Sequence, residues 1–226
     1  MEATGIPFVV IEYSSMASQM EAAKIIGAAL GAEEEAALYV QFYQDAIDQA
    51  AEIAARMPES ERKRLYHSVN EAVRTDPPNS LGADWIGVTG AIHVALGENL
   101  TASGSAAYTT LEQIYVWDPD LIICSESGVA GYILTDAQWE GLRAVREGTV
   151  YQVPIGVSRW GHPNSSETSM AILWLTRLLY PEYAGEIDLE EKMRYFYQTF
   201  FDYALSEEMI EKIFAGEGIR TPGTGS

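Results

Sequence analysis

An α/β fold built on a parallel sheet is what this sequence predicts, and three observations predict it. Short uninterrupted apolar runs, Leu121-Ile-Ile-Cys124 foremost, suit strands buried on both faces of a parallel sheet. Stretches with apolar residues at helical spacing alternate with those runs. Polar residues such as Ser125-Glu-Ser-Gly128 follow the runs at once, at the strand ends where open sheets place a binding crevice. Alternating strands and helices imply right-handed crossovers between parallel neighbours.

Taken in order, Gly5-Ile-Pro-Phe-Val-Val-Ile-Glu12 reads as a strand with no element before it. Met16 to Leu30 reads as a helix, with Met16, Met20, Ala23, Ile26 and Leu30 near one face and Gly31 as its stop. A longer helix follows from about Glu33 to Met57, with an alanine-rich stripe through Leu38, Phe42, Ile47, Ala50 and Ala54. The charged break at residues 58–64 is the best boundary. Arg64-Leu-Tyr-His-Ser68 is a short strand, and Thr75-Asp-Pro-Pro-Asn-Ser80 a loop. Ser80 or Asn79 then caps a helix through Trp85, Val88 and Ile92 to about Ala95, which puts His93 on a helix. Thr110 caps a short helix carrying Glu112 in its first turn, where the helix dipole favours a carboxylate. Asp118-Pro119 ends it, and the buried run 121–124 comes next. A helix near 136–142, a strand over 150–153, a loop to Pro163, an apolar helix from Met170 to Tyr180 and two amphipathic tail helices complete the chain.

The 226 residues are 47% hydrophobic, enough for a sizeable core, and carry a formal net charge of -19. That charge argues against nucleic acid and against anionic lipid as partners. No apolar run approaches the roughly 20 residues that a membrane span requires. The single cysteine, Cys124, excludes an internal disulfide and reads as a buried thiol. No dinucleotide fingerprint, Walker A sequence, Cys-x-x-Cys or His-Glu-x-x-His occurs, and Gly156 to Gly161 has one residue too many for a nucleophile elbow. The chain therefore reads as no enzyme, and no cofactor is expected. His67, His93 and His162 take separate polar roles, and no metal site is assigned.

What converges is a set of strand ends. Tyr66-His67, Ser125-Glu126 and Arg159-Trp160-Gly-His162 all lie at the carboxyl edge if the sheet is parallel. Tyr66 and Trp160 offer flat apolar surface, and Arg159 a fixed fork for an anionic group. The expected ligand face is Tyr66, His67, Ser125, Glu126, Arg159, Trp160 and His162.

An ordered set of segments also resembles one family. Leu111-Glu-Gln-Ile with Trp117-Asp-Pro-Asp-Leu-Ile-Ile is similar to a signature of the substrate-binding proteins of iron-siderophore, haem and cobalamin ABC importers. Gly5-Ile-Pro-Phe-Val-Val-Ile, Ile25-Ile-Gly-Ala-Ala-Leu-Gly, Ala95-Leu-Gly-Glu-Asn-Leu, Trp139 to Pro154, Trp160-Gly-His-Pro and Leu173 to Glu182 resemble further family segments in family order. The resemblance implies two Rossmann-like lobes joined by one long helix, with a small metal complex held between them. In its terms, residues 1–13 are the last strand of an N-terminal lobe otherwise absent, and 14–58 a helix pair including the inter-lobe helix. Residues 59–187 form the C-terminal ligand-binding lobe, 188–219 the C-terminal helices and 220–226 a disordered tail. Glu112 matches the glutamate with which the family's C-terminal lobe docks on its ABC permease. The expected ligand is a ferric siderophore, haem or cobalamin, with an oxyanion such as molybdate, or a sensor role without transport, as alternatives. The expected location is the extracellular face of the membrane or the periplasm, with any signal or lipid anchor in the missing part.

Overall fold

The computed structural model describes residues 8–104 and 106–219. Two helices open it. Helix α1 (Met16–Leu30) starts at a reciprocal cap, in which Ser15 accepts from the Ser18 amide and Ser18 returns a bond to the Ser15 backbone. It ends on Gly31 in the left-handed conformation, φ 69°. Helix α2 (Glu33–Ala55) follows almost at once, with Glu33, Glu34 and Glu35 at its positive end. Gly27 lets α1 and α2 approach so closely that a β-carbon there would overlap Ala36.

The sheet begins with β1 (Arg64–Ser68). The chain then passes through β2 (Arg74–Thr75), α3 (Leu81–Val88), β3 (Ile92–His93), β4 (Thr101–Ser103), β5 (Ala106–Tyr108), α4 (Leu111–Trp117) and β6 (Leu121–Cys124). It continues with α5 (Val129–Thr135), α6 (Arg143–Arg146), β7 (Val150–Gln152), α7 (Thr168–Leu179), α8 (Leu189–Phe201) and α9 (Glu207–Phe214). Strands β3, β1, β6 and β7 form, in that order, an all-parallel sheet. Strands β2, β5 and β4 form a small antiparallel sheet beside it.

Alternation along the strands divides the core in two. Leu65, Leu121 and Ile123 join α2, α3, α7 and α8 on one face, where Tyr43, Trp85, Met170 and Phe196 are buried. Tyr66, Ile122 and Cys124 face the other way, against Trp117, Ile133, Trp139 and Leu142. Both faces are covered, so β6 can be apolar at every position. Helix α7 is buried nearly all round, in keeping with the apolar run Met170–Leu175 at its centre.

The structure departs from the sequence reading in three places. The strand expected over residues 5–12 lies partly outside the described residues. Its described part, Phe8 to Ile11, pairs with no strand among the described residues and exposes Phe8, Val9 and Val10. The helix expected to reach Ala95 stops at Val88, because Gly90 turns the chain at φ 77° and Ile92 then pairs with Arg64. His93 is thus a strand residue. The helix expected near 136–142 is replaced by α5 before it and α6 after it, with turns between.

Candidate functional site

The parallel sheet fixes where the site lies. Residues at the carboxyl ends of β1, β6 and β7 gather at one edge: Ser68 lies opposite Cys124, and Cys124 opposite Gln152. Ser125 follows β6 and binds back across the edge, its amide donating to the Ser68 carbonyl at 2.9 Å.

The loop after β7 brings Arg159 to this edge through a compact turn. Gly156 N–H donates to the Ser158 carbonyl, and Trp160 N–H to the Pro154 carbonyl. One buried acid holds the turn in place. The Glu167 carboxylate accepts from the amides of Val157 (3.0 Å) and Ser158 (2.8 Å), the Ser158 hydroxyl (2.8 Å), Trp160 Nε1 (3.3 Å) and the Tyr197 hydroxyl. Burial first, and then this carboxylate, push the Tyr197 phenol well above its ordinary range. Gly156 must be glycine, since a β-carbon would overlap Glu167 and Tyr197. Gly161 has φ 72° and packs its bare α-carbon on the Trp85 indole.

Arg159 therefore arrives in a fixed pose. Its Nη1 donates to Asn70 Oδ1 and to Glu126 Oε2, both at 2.7 Å. The guanidinium is partly exposed and Glu126 more so. His162 stands half-buried nearby, its Nδ1 accepting from the Asn164 amide at 3.3 Å. Burial, and then the charges of Arg159 and Arg74, hold its pKa below the ordinary value, with Glu126 opposing. Arg159, Arg74, His162, Asn70 and Glu126 thus make a polar face at the carboxyl edge, able to receive an anionic group.

Beneath that face lies a second set. His67 Nδ1 is 2.6 Å from Asp76 Oδ2, His93 Nε2 is 3.1 Å from the same oxygen, and His67 Nε2 is 2.7 Å from Ser125 Oγ. All four residues are buried. Ala95 N–H donates to His93 Nδ1 at 3.3 Å, which assigns the proton of that ring to Nε2, facing Asp76. Burial by itself would raise the Asp76 carboxyl, but the two imidazoles hold it well below the usual carboxylate range. Gly82 leaves this carboxylate room to lie against α3, where a β-carbon would overlap it. Ser125, His67 and Asp76 have the connectivity of a nucleophile, base and orienting acid. With Ser125 at 5% exposure, however, a substrate carbonyl has no open approach to its hydroxyl.

Of the seven expected face residues, Glu126, Arg159 and His162 are where the sequence put them. Tyr66 and Trp160 are not on the face. Both are fully buried, Tyr66 donating to the Ala72 carbonyl at 3.0 Å and Trp160 to Glu167. Alternation turns Tyr66 into the core layer around Trp117, and Gly161 lets Trp160 fold inward. His67 and Ser125 form the layer below. The separate roles expected of the three histidines give way to a pair, His67 and His93, on one carboxylate. Asn70, Arg74, Asp76 and Glu167 were not anticipated. The polar triplet Arg74-Thr-Asp76, between the first strand and the helix capped at Ser80, was the signal available for two of them.

Glu112 is exposed in the first turn of α4. Its pKa is lowered by the amide at its own position and by the Thr110 hydroxyl. Among the described residues no helix is long and apolar enough to cross a membrane.

A family model described as periplasmic binding protein matches residues 1–155. The molybdate-binding protein MolA of Haemophilus influenzae is 28% identical over 94 residues, which are 41% of this chain and 27% of that protein. A periplasmic solute binding protein from Veillonella parvula superposes with a TM-score of 0.80 at 26% identity, over 94% of this chain and 65% of the other. An ABC transporter solute binding protein from Sulfurospirillum deleyianum does so with a TM-score of 0.75 at 26% identity, over 86% and 60%. The chain thus spans less than two thirds of each of these three proteins.

Proposed function

Because the chain belongs to the periplasmic binding protein family, we propose that it is the solute-binding part of an ABC importer, and that its carboxyl-edge face forms one wall of the solute cleft. It captures ligand outside the cytoplasmic membrane, hands it to a permease and carries out no covalent chemistry. The pose of Arg159 is the observation that supports this reading. A guanidinium held by Asn70 and Glu126, with Arg74 and His162 beside it, is prepaid orientation for an anionic ligand. A metal complex with peripheral anionic groups, such as the carboxylates or phenolates of a ferric siderophore, the propionates of haem or the phosphodiester of cobalamin, fits a broad polar wall of this kind. A second reading, an oxyanion such as molybdate, is favoured by the stretch shared with MolA.

A single wall buries too little of a ligand for tight capture. In this proposal α2 leads towards a second lobe carrying the other wall, and Glu112 meets the permease. Titrating ferric siderophores, haem, cobalamin and molybdate into the chain tests the reading, with Arg159→Ala alongside. Weak binding of one of these, lost in Arg159→Ala, is expected. Micromolar or tighter binding would overturn the one-wall reading, and binding indifferent to Arg159 would remove the face from the site.

A further inference from the structure

The buried pair of histidines on one carboxylate has chemistry that solute capture leaves unused. His67 Nδ1, Asp76 Oδ2 and His93 Nε2 lie within 4.8 Å of one another. They come from three separate places: the end of β1, the loop after β2, and β3. We propose that these three side chains form a site for a divalent transition-metal cation of the zinc type, beneath the Arg159 face and independent of the solute.

Two imidazoles and a carboxylate are a donor set that suits borderline cations, and three protein ligands leave a fourth position open. Their side chains are 4%, 7% and 1% exposed, so bulk water competes poorly for them. Without a cation, two N–H groups point at Asp76 Oδ2. The cation takes the place of those two protons, at about 2.0–2.1 Å from each nitrogen once the side chains part slightly. His67 then carries its proton on Nε2, where Ser125 Oγ at 2.7 Å accepts it, the outer partner that a ligating histidine needs. His93 carries its proton on Nδ1 and gives up the 3.3 Å bond from the Ala95 amide, the weakest contact of the set. The proton count of the protein is unchanged, and Asp76 stays ionised throughout. Bridging three segments, the cation would fasten β3 and the loop after β2 to β1.

The test is a titration of the chelator-treated chain with cobalt(II) and then zinc(II). One equivalent of cobalt is expected, with the visible absorption of a low-coordinate nitrogen and oxygen site, displaced by zinc, and with a raised melting temperature. His67→Gln and His93→Gln should each weaken binding by about tenfold or more. Nitrogen-15 spectra of the imidazoles cover the case in which those variants do not fold. In the unaltered chain, zinc should move the ring signals of His67 and His93 to the exchanged tautomers and leave those of His162 in place. Absence of stoichiometric uptake, movement of His162 alone, or unchanged affinity in folded variants would each overturn the site and leave the cluster as a hydrogen-bonded network.

Discussion

Glu167 shows how much one side chain can organise. It is fully buried and accepts from five donors of the loop and α8, so its removal strands several polar groups at once. At about 1–3 kcal/mol for each buried group left unpaired, Glu167→Ala should destabilise the fold by at least about 3 kcal/mol. Urea midpoints would measure this, and a change of well under 1 kcal/mol would mean that the loop is held by other contacts. Cys124 makes the opposite case. Burial pushes its thiol up to about 12, with the Ser68 hydroxyl opposing, so it should resist alkylation in the native protein and react only on unfolding. Rapid native labelling would contradict its placement. His162 gives a pH dependence with a definite sign. Its folded pKa is depressed, so below about pH 7 the unfolded chain takes up the proton first and the fold loses stability as pH falls. His162→Gln should flatten that loss between about pH 7 and 5 relative to the parent. Glu126 was legible because polar residues directly after a buried run have one place to go, and Arg159 because the loop after the last strand returns to the same edge. The sequence hid Tyr66 and Trp160, because residue type does not say which face of a strand, or which side of a glycine, a ring takes.

At the scale of elements, Gly90 decides between two structures. It ends α3 at positive φ, and a β-carbon there would come 2.8 Å from the Ala54 β-carbon on α2. Gly90→Ala should cost about 1–3 kcal/mol through the strained conformation alone, with the collision in addition. A neutral substitution would show that the turn relaxes freely. The apolar residues 85–95 keep a helical rhythm up to that point, so the sequence reads on as a helix where the fold begins a strand. Elements with caps or with full burial were legible. Thr110 accepts from the Gln113 amide, and β6 runs from Leu121 to Cys124 as the apolar run predicts. Strands of two residues, such as β2 and β3, carry no periodicity that a sequence could display. Asp76 and Asn70 follow strands in loops with no repeat at all, so only the folded sheet brings them to the histidines and to Arg159.

For the molecule as a whole, family membership and the two-faced parallel sheet point the same way. In the proposed importer the two ends of the α4–β6 unit have different tasks, one towards the permease and one towards the solute. Glu112→Ala should therefore lower permease-dependent uptake while leaving solute affinity unchanged, and unaltered uptake would return Glu112 to a favourable acid at a helix start. The sheet has a consequence for kinetics as well. Its central pair joins β1 to β6, and the Arg64 amide meets the Asp120 carboxylate 56 positions along the chain. Helices α1 and α2 meet across a two-residue link instead. Loop-closure entropy has to be overcome before the parallel pairs return anything, so the helical hairpin should order early and the sheet late. A newly made chain would spend that interval with the apolar run 121–124 unpaired, and that is the window in which a chaperone would be needed most.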